Sequence, residues 1–463
     1  MGIYGAINAA VSGLSAQATA LENLSGNVAN SQTTGYKRLD TTFSDLVSGG
    51  GATQASQVSG TSYATSRATN TLQGDISAND VDTYLAINGE GYFVVTKAND
   101  VVDGSTTFAD TNYYTRAGDF EIDEEGYLVN SSGYYLTGYE LDPDTGNAVG
   151  DAVSVVKISD QPLAAEATTQ VDYQANLPTV PQNEAYDGSD PDTALLDTAT
   201  VGTDDIAAAD EQTFLDQSIT GGSITIYNEN GTPLNVEIRW SKTLNADPGV
   251  PQLDTWTIFM GSGDNDPAWL EIGNVTFDGS GEMDTLTAGD GSTTVAVSAA
   301  GNSFEIASIT VGDVTAANVE VSFAGGSLTQ YSDSAGVASS VSIEQDGYPA
   351  GEVTGIYVDE AGRINATYSN SQVRALYEVP LATFKAEQNL QRIDGAAFAA
   401  TPTSGEADLS GGGSIIANAL ELSNSDIATE FSKLIITQQA YSANTRVVSA
   451  ADDMLTDALN MVQ

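Results

Sequence analysis

The chain has 463 residues, 63 acids against 14 bases, a net charge of −49, and neither histidine nor cysteine. Ser-His-Asp catalysis, histidine zinc sites, thiolate metal sites and disulfides are therefore excluded. The length allows about three domains, and the acidity makes nucleic acid an unfavourable partner.

The first element is a helix. Ile3, Ile7, Ala10, Leu14, Gln17, Leu21, Leu24 and Val28 recur at alternating spacings of four and three, which predicts one apolar stripe broken only at Gln17. The same stripe also fits the core-facing side of an ordinary amphipathic helix. Gly2, Gly5, Gly13 and Gly26 weaken the helix in isolation, so it is expected to fold only against a partner. Residues 46 to 72 are rich in Gly, Ser and Thr without an apolar period and read as a linker or irregular arm.

From 73 to 150 short β-prone runs follow, including Tyr84 to Asn88, Gly91 to Thr96, Tyr113 to Arg116 and Tyr134 to Tyr139. Turn signals at Asn88-Gly89, Glu125-Gly126 and Ser132-Gly133 predict an antiparallel β-domain. Residues 151 to 342 continue with strands such as Ser223 to Tyr227, Val236 to Trp240 and Thr255 to Met260 between acidic loops. The stretch 186 to 212 is the most acidic and least regular. The compact β pattern returns over 343 to 400, and 401 to 420 reads as a second linker.

The last element repeats the first. Ile427, Phe431, Leu434, Gln438, Tyr441, Thr445, Val448, Asp452, Leu455, Leu459 and Val462 keep the same rhythm, with four polar interruptions. The predicted fold is mainly β with α-helical termini, in nested order. Segments 1–35 and 421–463 form a coiled-coil-like inner domain, 36–72 and 401–420 are linkers or arms, and 73–150 with 343–400 are a middle β-domain. Residues 151–342 are an outer acidic β-region of one or two barrels or sandwiches. Net charges of 0, −43 and −6 for residues 1–70, 71–370 and 371–463 leave the ends able to pack on copies of themselves. No basic leader precedes an apolar run, and no stretch reaches the roughly 18 apolar residues of a membrane span. The expectation is a soluble chain, or one exported without a cleaved signal.

The first helix runs into Asn27-Val28-Ala29-Asn30-Ser31-Gln32-Thr33-Thr34-Gly35-Tyr36-Lys37. Physically this is a helix stop, in which Asn30 and Gly35 tolerate the left-handed conformation and Ser31, Thr33 and Thr34 satisfy freed backbone groups. The string resembles the N-x-A-N-x-x-T-x-G-Y-K signature of bacterial flagellar rod and hook proteins, carried here by Asn27, Asn30, Thr33, Gly35, Tyr36 and Lys37. Leu85 to Phe93, Tyr114 to Phe120 and the run from Ser423 to Val462 are similar to the same family, in the same order. Gly347-Tyr348-Pro349-Ala350-Gly351-Glu352 and Tyr368-Ser369-Asn370 resemble its hook branch, and the long insert fits hook rather than rod.

That resemblance implies a structural subunit of a hollow, flexible helical tube that transmits torque from rod to filament, located extracellularly in the flagellum. It implies copies of the chain, the rod, the hook cap and the hook-filament junction proteins as partners. It also implies delivery by the type III export apparatus. The polymer interface is expected on Ile3, Ile7, Leu14, Leu21, Leu24, Val28, Phe431, Leu434, Tyr441, Val448, Leu455 and Leu459. No catalytic residue, cofactor, metal or membrane insertion is expected.

The alternatives are a distal rod or junction protein, a calcium-binding surface adhesin and a glycosidase. A glycosidase needs only two carboxylates, but no distinctive acid pair with an aromatic-lined cleft stands out. Asp142-Pro143-Asp144-Thr145-Gly146-Asn147 has oxygen ligands at alternate positions, lacks the later glutamate of an EF-hand loop, and reads as a solvated turn.

Overall fold

The structure is a computed structural model that describes residues 3–48, 58–102, 105–142, 145–202, 204–247, 253–263, 265–289 and 295–460. Two compact units share the chain. The first holds Met1–Gln161, Val353–Tyr368 and Gln372–Gln463, and the second holds Pro162–Glu352 with Ser369–Ser371.

In the first unit, strands that return from the insert pair with strands that lead into it. Ile76–Ala78 pairs antiparallel with Ala419–Glu421, and Leu85–Asn88 with Ser414–Ala417. Tyr134–Glu140 lies between Tyr92–Val102 and Val373–Glu378 in a thirteen-stranded sheet. Leu85, Ile87, Phe93, Phe120, Leu136 and Ile364 bury its core. The two helices, Ile3–Ala29 and Ile427–Asn460, belong to this same unit rather than to an inner domain of their own.

The first linker reading, and the second from Ser414 onward, need correction. Leu39–Ser48 and Val58–Ala68 form an antiparallel hairpin, while 49–57 between them lie outside the described residues. Its inward groups are hydroxyls: Thr41 Oγ1 and Ser66 Oγ accept from Asn23 Nδ2 at 2.8 and 2.9 Å. A strand that packs through threonine and serine carries no apolar period, so the composition reads as loop. In the second linker, the strands from Ser414 onward are sheet-paired and Ile415 is buried, because single apolar residues suffice where the backbone supplies the bonding.

The second unit is built on two sheets. Ile219–Tyr227, Pro233–Leu244, Asp254–Gly261, Trp269–Phe277 and Met283–Ala288 form an antiparallel meander. Ser303–Val311, Val314–Ser322, Gln170–Asn176 and Ser339–Gln345 lie in a six-stranded sheet. Strict alternation along Leu234, Val236, Ile238 and Trp240 puts one face of the meander into a core shared with Tyr173, Phe304 and Phe323. Trp240 Nε1 donates to Tyr173 Oη, which donates to the Gly221 carbonyl, both at 2.8 Å. Burial pushes the Tyr173 hydroxyl well above the usual phenol range.

The stretch 186 to 212 is more ordered than its composition predicts. Leu196, Val201, Ile206 and Phe214 pack on Phe259 and Trp269 as a second small cluster. Their spacing follows no helical or strand period, which is why the sequence reads as loop. The crossings between units fall after Gln161 and after Glu352, later than the sequence boundaries of 150 and 342. Strand pairing sets them: Ser154–Val155 joins Tyr134–Glu140, and Ser339–Gln345 joins Gln170–Asn176. Within the second unit, Asn370 of one hook-branch string donates from Nδ2 to the Pro349 carbonyl of the other at 2.8 Å.

Candidate assembly interface

The terminal helices run antiparallel. Asn27 Nδ2 donates to Glu430 Oε2 at 2.9 Å, and fourteen residues away on each helix Gly13 lies against Asn444, whose Nδ2 is 2.9 Å from where a Cβ would sit. The inner face of the C-terminal helix steps by seven through Glu430, Thr437, Asn444 and Ala451; the first, second and last are buried. Opposite them, small residues let the helices approach closely, with Ala20 buried between Asn27 and Gly13.

The heptad period is therefore right, but half of the C-terminal stripe faces away. Leu434, Val448 and Leu455 are partly buried, whereas Phe431 is 48% exposed and Tyr441 is exposed as well. Phe431, Gln438, Thr445 and Asp452 each sit one residue past the buried seam. Choosing the register by apolarity misses a seam made from a carboxylate, a hydroxyl, an amide and a methyl group. On the N-terminal helix Leu24 is buried, while Ile7, Leu14, Leu21 and Val28 are partly buried. A second face through Ala16, Ala20, Asn23 and Asn27 is buried too, against the hairpin and the partner helix. Alanine and asparagine gave it no apolar signal. The side chains of Ile3 and Leu459, and all of Val462, lie outside the described residues.

The motif after the first helix builds a buried junction. Asn30 does not adopt the left-handed conformation; its Nδ2 donates to the Gly26 carbonyl at 2.9 Å, and Ser31 Oγ donates to that of Val28 at 2.8 Å. Thr33 Oγ1 donates to Asn30 Oδ1 at 3.2 Å. Gly35 does turn left-handed, at φ +66°, and its N–H donates to the Glu421 carbonyl at 2.8 Å. Tyr36 lies under the Arg392 guanidinium, 4.7 Å from its ring centre. Lys37 Nζ donates to Glu421 Oε1 at 2.5 Å and to the Leu72 carbonyl at 2.6 Å.

Glu421 is fully buried and also accepts from Arg116 Nη1 at 3.0 Å and from the Gly74 N–H at 2.8 Å. Beside it, Tyr92 Oη donates to Glu387 Oε2 at 3.0 Å. Asn424 Oδ1 accepts from the Arg38 N–H, and Ser425 Oγ donates to the Asn27 carbonyl. Asp426 then caps the last helix by accepting from the Thr429 N–H at 2.8 Å. The junction thus ties the end of one helix, the start of the other, the hairpin and the sheet at one point. Arg116, Glu387, Glu421 and Asn424 escape sequence reasoning, since a lone charge in a β-run carries no pairing information. The available signal is that Arg116 and Asn424 stand inside family blocks.

Burial lowers the Lys37 ammonium below its ordinary value against the pull of Glu421, and burial raises the Glu387 carboxyl. A carboxyl raised in the folded state contributes stability below its unfolded value that is lost as pH rises through the folded one. Replacing Glu387 by Gln is therefore expected to flatten this loss. The gain in melting temperature of the wild type over E387Q should grow between about pH 7 and about pH 5; parallel pH profiles for the two chains would contradict it.

Family models match in the nested order. "Flagella basal body rod protein" covers residues 7–37, "Flagellar hook protein FlgE/F/G D1 domain" 86–171, "Flagellar basal body protein FlaE D2 domain" 194–348, and "Flagellar basal body rod FlgEFG protein C-terminal" 416–461. The flagellar hook protein FlgE of Brucella suis is 30% identical over 469 residues, covering all of both chains. That of Salmonella typhimurium is 26% identical over 470 residues, covering 98% of each. The crystal structure of Helicobacter pylori flagellar hook protein FlgE2 aligns with a TM-score of 0.49 and 16% identity, over 74% of this chain and all of that one. Paired terminal helices around an inserted β-unit, matched by rod and hook models in sequence order, define a structural protein of the bacterial flagellum. The chain belongs to the flagellar hook protein family. No helix among the described residues is long and apolar enough to cross a membrane.

Proposed function

We propose that this chain is the repeating subunit of the hook tube and polymerises through the outward faces of its terminal helices. The observation that carries this reading is the division of labour across the helix pair. Small and polar residues make the seam within the chain, so Phe431, Ile435, Ile436, Val447 and Met454 stand exposed. Large apolar side chains left exposed along one helix are surface that an interaction with other copies would cover. Copies of the chain are its occupants, with the rod, the hook cap and the junction proteins at the ends of the tube. Export through the flagellar type III apparatus places it outside the cell. Hook is favoured over distal rod by the match across 194–348 and by full-length relatives that are hook proteins.

The second unit supports the flexible half of the function. It carries 30 acids and only two bases, Arg239 and Lys242. Both are used internally: Arg239 bonds Glu237 and Ser218, and Lys242 bonds Asp254 and the Thr179 carbonyl. Such a surface cannot form ion pairs with copies of itself, so its contacts in a tube are hydrated and can slide at small cost.

Phe431→Asp combined with Ile435→Asp is expected to leave the monomer folded, since these side chains are 48% and 53% exposed, and to abolish tube formation. Each lost contact would forfeit on the order of 1.5–3 kcal/mol of burial between copies. Circular dichroism checks the fold, and sedimentation with electron microscopy checks the polymer. Normal tubes from the double variant would place the seam elsewhere.

A further inference from the structure

The first unit carries an open groove of about 550 Å³ where both helices meet the base of the hairpin. Its lining is mixed: Ala20, Leu24 and Leu39 supply an apolar part beside five threonines, and the 66% exposed Ile436 also lines it. Its rim is basic. Arg67 is exposed and forms no ion pair among the described residues. Lys433 is half-exposed, 2.9 Å from Glu430 and 3.8 Å from Asp40. Asp40, opposite Arg67 in the hairpin, is the one acid at the rim among the described residues and is already shared with Arg38.

The far end of the C-terminal helix has the complementary character. Asp453, Met454 and Asp457 fall within a sector of about 100° and are all exposed. No base stands in the last turn, so Asp457 opposes the negative end of the helix dipole. Arg446 is seven residues before Asp453, beyond the reach of an i,i+4 pair. The helix thus ends in a destabilised acidic surface around one flexible apolar side chain, which suits an irregular pocket.

Resting on the assembly reading, we infer that the acidic last turns of one copy's C-terminal helix seat in the groove of the next copy. Met454 meets Ala20, Leu24 and Leu39, and Asp453 and Asp457 meet Arg67 and Lys433. The groove and the tail are different surfaces about 30 Å apart along the helix, twenty residues at 1.5 Å each. One copy can therefore receive a tail while offering its own to the next, and repeating the contact head-to-tail builds the open polymer that a tube requires.

Charge reversal tests the pairing on the full-length chain. Arg67→Glu alone, and Asp453→Lys with Asp457→Lys, should each raise the critical concentration for polymerisation by about tenfold or more, most strongly at low ionic strength. An equimolar mixture of the two variants should recover polymers, because each reversed tail then finds a reversed groove. Arg67→Gln, which adds no acid beside Asp40, keeps the test valid if Arg67→Glu fails to fold by circular dichroism. Wild-type critical concentrations for the variants, or a mixture as soluble as its parts, would overturn the pairing while leaving the assembly reading intact. Absence of tubes from the wild-type chain at every salt concentration would instead overturn that reading, and this pairing with it.

Discussion

Glu421→Gln is expected to lower the stability of the first unit by about 3–5 kcal/mol, the cost of leaving buried charge uncompensated. Lys37 and Arg116 both bond this carboxylate, and all three side chains are essentially inaccessible. The amide keeps the shape but turns a donor toward one of two cations and cancels the charge that balances them. Calorimetry should show the transition of the first unit falling while that of the second, which has its own core, stays in place. Adding Lys37→Met should recover part of the loss, because it removes the unpaired ammonium. The pH dependence supplies a sharper check. Burial already holds the Lys37 ammonium below its ordinary value, and a base lowered in the folded state contributes stability above its unfolded value that is lost as pH falls. Without Glu421 the lowering deepens, so the deficit of E421Q should shrink as pH rises toward about 10. A deficit that is small, or constant with pH, would mean that water reaches the junction.

The sequence made the repeating elements legible and left the joints obscure, for a physical reason. Strands such as Pro233–Leu244 carry their burial in an apolar period, which a single chain displays directly. The hairpin does not, because Thr41 and Ser66 meet Asn23 through hydroxyls. The C-terminal helix shows the same limit from the other side. Its apolar members suggested a seam through Phe431, whereas Glu430, one residue earlier, is the buried member because Asn27 and Lys433 both donate to its carboxylate. Apolarity at Phe431 reports a surface that the isolated chain leaves open. Of the candidate site, the motif from Asn27 to Lys37 was visible as a string but not as a junction. Its partners Arg116 and Glu421 are 305 residues apart, and charge alone cannot join residues across that separation.

Gly35→Ala is expected to be the costliest single methyl addition in the motif. At φ +66° an alanine would lose about 1–2 kcal/mol to backbone conformation alone. Its Cβ would also stand 2.4 Å from the Ala117 nitrogen and 2.5 Å from the Arg116 carbonyl carbon, both backbone atoms that cannot rotate aside. The motif must then move off the strand that presents Arg116, so the overlap adds about 1–3 kcal/mol and loosens the Arg116 grip on Glu421. Gly133 separates the two contributions. It has φ +78° and nothing within 4 Å of a Cβ, so Gly133→Ala carries the conformational cost without the overlap. Denaturant titrations of both variants should place G35A clearly below G133A. Equal midpoints would reduce Gly35 to a helix stop, the role that its sequence context alone suggests. A lower midpoint for G35A makes it the point where the helical end of the chain is pressed onto the β-domain.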